Sequence, residues 1–328
     1  MQKMLSNQKK FCGGMKGFYI TLAVLIAGSG CVNKGLKRIE PVSSRPGGRP
    51  VLQFLFSFGS GGSAPGEFLR PGGISIDHRG NVYIADTGND RIQKFDRNGR
   101  FLGQVGGFGW GSAQLSGPAD VCARTSLQVY VADSGNRRVQ IFDDRLTPLS
   151  EVTGNLGYPV GIVASDYGDL YVSDTENDRI VKIDSFGRKE RIFGDFSSGP
   201  GELLAPRGLT VGPDGNIYVC DSGKDRIAIF DSFGGYLGSI GEGLLLGPEG
   251  IDIGPTGEIF VADTGHHRLV IFDRKGNPLG GFGNQGEGPG SFEEPRDIAV
   301  DRDGFVWVLD SGNNRVQKFR ISWMKTKY

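Results

Sequence analysis

Six aspartates and six arginines recur in this 328-residue chain at one fixed spacing: Asp86 with Arg91, Asp133 with Arg138, Asp174 with Arg179, Asp221 with Arg226, Asp263 with Arg268 and Asp310 with Arg315. A carboxylate and a guanidinium five positions apart, separated by Ser/Thr, Gly and Asn/Asp residues, can pair across one tight turn. Six guanidiniums on one face would make an anion-binding ring, whereas six internal pairs would make clasps. Every copy carries both partners, so the pairs are assigned to structure. A site for one ligand requires residues that differ between copies. Such differences occur just upstream, in the segments Pro71-Gly72-Gly73, Pro118-Ala119-Asp120, Pro159-Val160-Gly161, Pro206-Arg207-Gly208, Pro248-Glu249-Gly250 and Pro295-Arg296-Asp297. Asp120, Arg207, Glu249, Arg296 and Asp297 break the small-residue pattern, and Trp110 and Tyr158 stand in the preceding loops.

The elements that carry these residues repeat as well. The six aspartates are 47, 41, 47, 42 and 47 residues apart, the length of one four-stranded propeller blade. Within a unit, GGISID, NVYIAD, RIQKFD and GRFLGQVG alternate apolar and polar residues between turn signals, with no helical period. The last unit stops after its third strand, RVQKFRI. The segment VLQFLFSFG from Val51 to Gly59 resembles a fourth strand and precedes the first unit, so the ring is expected to close between the two ends of the chain. In such a ring the second-to-third turns and the fourth-to-first loops share one face, and the five copy-specific charges fall at the channel mouth on that face. Trp110 and Tyr158 are expected above them. This constellation suits an acidic group of a protein, peptide or glycan, although the same charges can also pair with one another. Tyr83, Tyr130, Tyr171, Tyr218, Phe260 and Trp307 recur at one fixed position and read as core between blades.

The phrases VYIADTGNDRIQKF from Val82 and VYVADSGNRRVQIF from Val129, with their four further copies and the P-x-G-[IL] lead-in, resemble the NHL-repeat family from about Val51 to Ile321. The resemblance implies an all-β, six-bladed propeller. Members of that family act as RNA-binding modules, protein-docking platforms, sensor ectodomains and, in one branch, an amidating lyase that holds zinc with channel histidines. Here the histidines are His78, His266 and His267, and His78 falls in a turn on the opposite face from the other two. The glycine string GNQGEGPG precedes a strand rather than opening a helix, which fails the context test for a nucleotide loop. No catalytic residue, metal or cofactor is assigned. The sequence is read as a non-catalytic binding or scaffold propeller; the alternative is a hydrolase or lyase using a channel metal held by acids and carbonyls.

The amino terminus addresses location. Gly17 to Gly30, GFYITLAVLIAGSG, follows Lys9, Lys10 and Lys16, is too short to span a bilayer and ends before Cys31. Residues 1–30 are read as a lipoprotein-type signal, with Met15 as a possible start, Cys31 as the lipidated residue and residues 31–50 as a flexible linker. The propeller then spans 51–321 and a tail 322–328. Without residues 1–30 the chain retains 33 basic against 37 acidic side chains, a poor balance for nucleic acid. Cys122 and Cys220, in non-adjacent blades, read as buried free thiols. The expected location is a bacterial cell envelope, the protein held on a membrane by its N-terminal lipid and facing the periplasm or exterior. Cys31→Ser should move the protein from the membrane to the soluble fraction on fractionation; retention after a salt wash would mean that the signal stays in place or that something else holds the chain.

Overall fold

The computed structural model describes residues 48–123 and 127–324; the signal segment and Cys31 lie outside the described residues. These form six four-stranded antiparallel sheets around a central channel, and the chain is an all-β six-bladed propeller. The innermost strands are Gly73–Ile76, Pro118–Cys122, Pro159–Ala164, Pro206–Val211, Gly250–Ile253 and Pro295–Val300, in blades 1 to 6. The second strands, Val82–Asp86, Gln128–Asp133, Leu170–Asp174, Ile217–Asp221, Ile259–Asp263 and Phe305–Asp310, are buried on both faces. Each sheet lies between two others, so alternate residues of one strand enter different interblade cores. Tyr83 and Ala85 meet Val121, Val131 and Phe142 of blade 2, while Val82 and Ile84 meet Trp307 and Leu309 of blade 6. The recurring aromatics are all buried there, as are the free thiols Cys122 and Cys220.

The fourth strand of the last blade is Arg49–Phe58, which runs antiparallel to Arg315–Met324. Its Leu52 and Phe54 pack into the core between blades 5 and 6, and its Phe56 and Phe58 into the core between blades 6 and 1. A bulge between Phe54 and Phe56 accompanies this change of side. Both strands pass the limits of 51 and 321 drawn from the sequence, because the two continue to pair beyond the level at which the second strand, Phe305–Asp310, begins.

Neighbouring blades are joined at a repeated point. The Ser or Thr after each clasp aspartate donates its hydroxyl to the lead-in proline carbonyl of the next blade: Thr87 to Pro118 at 2.8 Å, Ser134 to Pro159 and Thr175 to Pro206 at 2.5 Å, and Thr264 to Pro295 at 2.6 Å. Ser222 reaches Pro248 in the same way, and Ser311 of blade 6 reaches Pro71 of blade 1. Deleting Val51–Ser57 should expose the third strand of blade 6 and remove two partly buried phenylalanines, Phe54 and Phe56, with Leu52, a cost of about 3 kcal/mol or more. Trimming residues 32–47 should leave the melting temperature unchanged. Equal melting of the two truncations would contradict the pairing as a source of stability.

Candidate functional site at the channel mouth

In all six blades the aspartate and arginine of the repeated turn form an ion pair, with Arg Nε to Asp Oδ2 distances of 2.7–2.9 Å. The aspartates are fully buried. Their Oδ1 atoms accept backbone N–H groups of the lead-in loop, such as Leu69 at 2.8 Å and Leu204 at 2.7 Å. The arginines donate to carbonyls of the same loop, Arg91 to Glu67 at 2.9 Å and Arg268 to Leu244 at 2.8 Å. The guanidiniums therefore face their own blade and form no ring.

A second contact fixes each lead-in loop from across the blade boundary. The fourth residue after the clasp aspartate, at Asp90, Asp178, Asp225, His267 and Asn314, accepts the N–H of Gly117, Ala205, Gly247, Glu294 and Arg70 respectively, at 2.6–3.1 Å. Both partners sit in the left-handed region; Arg70, Ala205 and Glu294 do so at φ 45–49° despite carrying side chains. At the boundary of blades 2 and 3 the acceptor is replaced by Arg137, which reaches Glu176 at 3.6 Å. There the residue before proline is Tyr158, which is not in the left-handed region. The histidines follow the same logic. His267 Nδ1 is an acceptor in a position held by Asp or Asn in four other copies, and His266 Nδ1 lies 2.9 Å from Asp263 where four other copies use Asn and blade 4 has Lys224. His78 is exposed on the opposite face. Among the described residues no group of three or more His, Cys, Asp or Glu is arranged to hold a metal ion.

The copy-specific residues separate into three groups. Arg207, Glu249 and Arg296 stand at the mouth, Arg207 and Arg296 at the second position of their inner strands and Glu249 just before its own. Arg296 lies 3.7 Å from both Glu249 and Glu294, two long and partly exposed pairs. Arg207 has a buried Nε with no hydrogen-bond partner among the described residues. Its strand approaches blade 3 closely, for a Cβ on Gly161 would lie 2.4 Å from the Arg207 carbonyl. Tyr158, half exposed, precedes the inner strand of blade 3 and belongs to the mouth. Asp120 and Asp297 lie one residue deeper and differ from the expectation of ligand-facing charges. Asp120 accepts N–H groups from Val121 at 2.7 Å and Ile162 of blade 3 at 2.9 Å; Asp297 accepts from Ile298 and from Ile74 of blade 1, both at 2.8 Å. In each carboxylate Oδ1 takes the next N–H of its own strand and Oδ2 reaches the neighbouring inner strand, so the side chain staples the two together. Trp110 is also displaced from its expected place. Its carbonyl accepts from Arg138, which heads the third strand, so its ring, 70% exposed, stands over the outer half of blade 2.

Sequence reasoning missed two features. Leu204 and Leu246 are large apolar side chains left exposed beside the mouth; their offset of two before the lead-in proline was a usable signal. Asp252 was overlooked because it sits inside an apolar strand. It accepts N–H groups from Ile253 at 2.7 Å and Val300 of blade 6 at 2.8 Å, and with Asp120 and Asp297 it lines a channel cavity of about 50 Å³. Burial pushes Asp120 up to about 7. Asp297 is held well above the usual carboxylate range by burial and by the nearby Asp120 charge.

A six-bladed ring with this clasp defines the class of the protein, and the comparisons agree with it. The NHL repeat family matches residues 68–95, 115–142, 203–230, 245–272 and 292–319. The chain is a six-bladed NHL-repeat β-propeller, with the matched copies in blades 1, 2, 4, 5 and 6. Among curated proteins it is similar to Protein lin-41 of Caenorhabditis elegans, 36% identical over 96 residues, covering 27% of this chain and 8% of that protein. It is also similar to Protein brain tumor of Drosophila melanogaster, 30% identical over 149 residues, covering 44% of this chain and 14% of the other. The chain thus spans a small part of the relatives it matches. Among solved structures, a streptogramin B lyase superposes with a TM-score of 0.60 at 17% identity, over 85% of this chain and 89% of the other. The hydrazine synthase of Kuenenia stuttgartiensis gives 0.57 at 16%, over 80% and 99%. At such identities the likeness is one of fold.

The raised Asp120 carries a pH dependence. A carboxyl whose folded value exceeds its unfolded value binds protons more tightly when folded, so its contribution is present at low pH and is lost as pH rises from 3.8 towards about 7. Asp120→Asn removes that contribution. The melting temperature of the variant relative to the unaltered chain should therefore rise across this window. A difference that stays constant with pH would show that Asp120 titrates like an exposed carboxylate.

Proposed function

We propose that the chain is an exported, membrane-tethered, non-catalytic docking module, which binds a protein through the turn face around its channel. Arg207 and Arg296 receive carboxylates of that partner. The observation that carries this reading is Arg207, whose Nε is buried at the mouth without a hydrogen-bond partner among the described residues. An unsatisfied buried donor costs about 1–3 kcal/mol, and a carboxylate brought by a partner removes that cost and adds a charge-assisted bond. Leu204, Leu246 and Tyr158 supply exposed apolar and aromatic area around the same point. Acidic peptides and acidic glycans present the same group, and protein docking is favoured because the mouth is rimmed by apolar side chains.

The export and tethering parts of the reading rest on the sequence between Lys9 and Cys31. The whole-protein roles of lin-41 and brain tumor are not carried over, since their matches cover only 8% and 14% of those proteins.

The test places a photocrosslinking residue at Tyr158 and, as control, at Arg79 on the opposite face, in cells that make the protein. A discrete crosslinked protein at Tyr158 is expected, reduced about tenfold by Arg207→Ala. Because the Arg207 Nε has no hydrogen-bond partner among the described residues, its alanine variant should keep the melting temperature, whereas Arg179→Ala, which breaks a clasp, should lower it. A crosslink indifferent to Arg207, or Arg207→Ala melting as low as Arg179→Ala, overturns the assignment.

A further inference from the structure

The opposite face has an asymmetry of its own. Its tips are the first-to-second and third-to-fourth turns, and blades 3 and 4 place Tyr167, Phe186 and Phe233 on them, 91%, 81% and 71% exposed. The positions equivalent to the two phenylalanines in blades 1, 2 and 5 are Asn98, Arg145 and Lys275. These rings are not products of loose loops. Asp184 accepts the N–H groups of Phe186 and Arg188 at 3.0 and 2.8 Å, and Asp231 accepts those of Phe233 and Gly235, both at 2.8 Å. The backbone of each tip is fixed while its aromatic side chain projects into solvent. The turns are also close: the Tyr171 hydroxyl of blade 3 donates at 3.4 Å to the carbonyl of Ser232, next to Phe233.

The chain enters the fold on this same face. Phe305, at the start of its strand, pairs with Arg320, and the ribbon continues beyond it to Arg49 opposite Met324. That ribbon exposes Trp323 and Met324, and Lys325 and Lys327 follow in the sequence. Upstream of Arg49, a polar stretch leads back to the apolar run GFYITLAVLIAGSG at residues 17–30. Rigidly presented aromatics, a Trp flanked by lysines and an apolar segment joined to the same side match the chemistry of a bilayer interface, where amphipathic rings sit at headgroup level and cations reach back to water.

We propose that this face rests on a lipid bilayer surface, with Tyr167, Phe186 and Phe233 on one side of the ring and Trp323 on the other entering the headgroup region. The channel mouth then points away from the membrane. The proposal uses the exposed tips and the point where the chain enters, so it is independent of what the mouth binds.

The chain contains three tryptophans, Trp110, Trp307 and Trp323, which makes the test direct. The full chain is reconstituted into vesicles of phosphatidylcholine and phosphatidylglycerol containing lipids brominated near the headgroup, and tryptophan quenching is read. Quenching is expected in the unaltered chain, retained in Trp110→Phe and largely lost in Trp323→Phe. Replacing Tyr167, Phe186 and Phe233 together by Ser should reduce it by about twofold or more with the melting temperature unchanged, since these side chains are exposed. Absence of quenching in the unaltered chain overturns the proposal, as does quenching that follows Trp110 instead of Trp323. Full quenching in the triple variant overturns the role of the three tips, and a protein crosslinked to this face in the absence of quenching assigns it to a protein instead.

Discussion

Six buried carboxylates hold this propeller in register. Each clasp aspartate has its oxygens divided between two tasks: Oδ1 takes a backbone N–H from the lead-in loop, and Oδ2 takes the guanidinium across the turn, as in Asp86 with Leu69 and Arg91. Removing a charge from water is costly unless its lone pairs are filled. Here they are filled by groups from three different places in the blade, so the position of the turn, the third strand and the returning loop are decided together. The arginine completes the set by binding loop carbonyls that would otherwise be stranded, for instance Arg138 with Gln114 at 3.0 Å.

From that arrangement follows the difference between the two ends of the ring. On the turn face nearly every polar group is committed to the repeat, and the residues free to vary are those facing the channel or the solvent beside it. Arg207, Glu249 and Arg296 occupy such positions. On the other face the turns are fixed by an aspartate whose Oδ1 takes backbone N–H groups of its own turn, as Asp96 does for Asn98 and Arg100 at 2.8 and 2.9 Å. The third turn position is left unconstrained, and blades 3 and 4 fill it with Phe186 and Phe233.

The architecture was legible because periodicity is a property of sequence. The spacing of Asp86 to Asp310 set the blade length, the alternation in NVYIAD and RIQKFD set the strands, and the absence of a fourth strand after RVQKFRI pointed to the first strand of the described chain as its partner. The site was legible only in part. Residue type distinguishes Arg207 from Gly72 but does not reveal whether a charge faces a ligand or the backbone of the next blade. Asp120 and Asp297 were placed at the right blades and given the wrong surroundings, since the N–H groups of Ile162 and Ile74 that they accept belong to strands 42 and 223 residues away. Trp110 failed for another reason: a loop that returns from the outer strand to the inner one crosses the whole blade, and sequence does not say where along that path a given residue lies. The exchange of an acceptor for Arg137, coupled to the changed backbone at Tyr158, is visible in the sequence only once the contact between the positions is known.

The pairing of Arg49–Phe58 with Arg315–Met324 also fixes an order of events. A ribosome delivers the first of these strands before any blade exists and the second after five are complete. Leu52, Phe54, Phe56 and Phe58 must therefore wait, unpaired, through almost the whole of synthesis, and the last step of folding is the meeting of the oldest and youngest parts of the chain. Contacts of such long range are slow to form, and an apolar strand with a bare edge is prone to pair with the wrong neighbour in the interval. The protein gains a seamless ring at the cost of a late vulnerability, and a holding chaperone acting on those ten residues would shield the nascent chain at its most adhesive point.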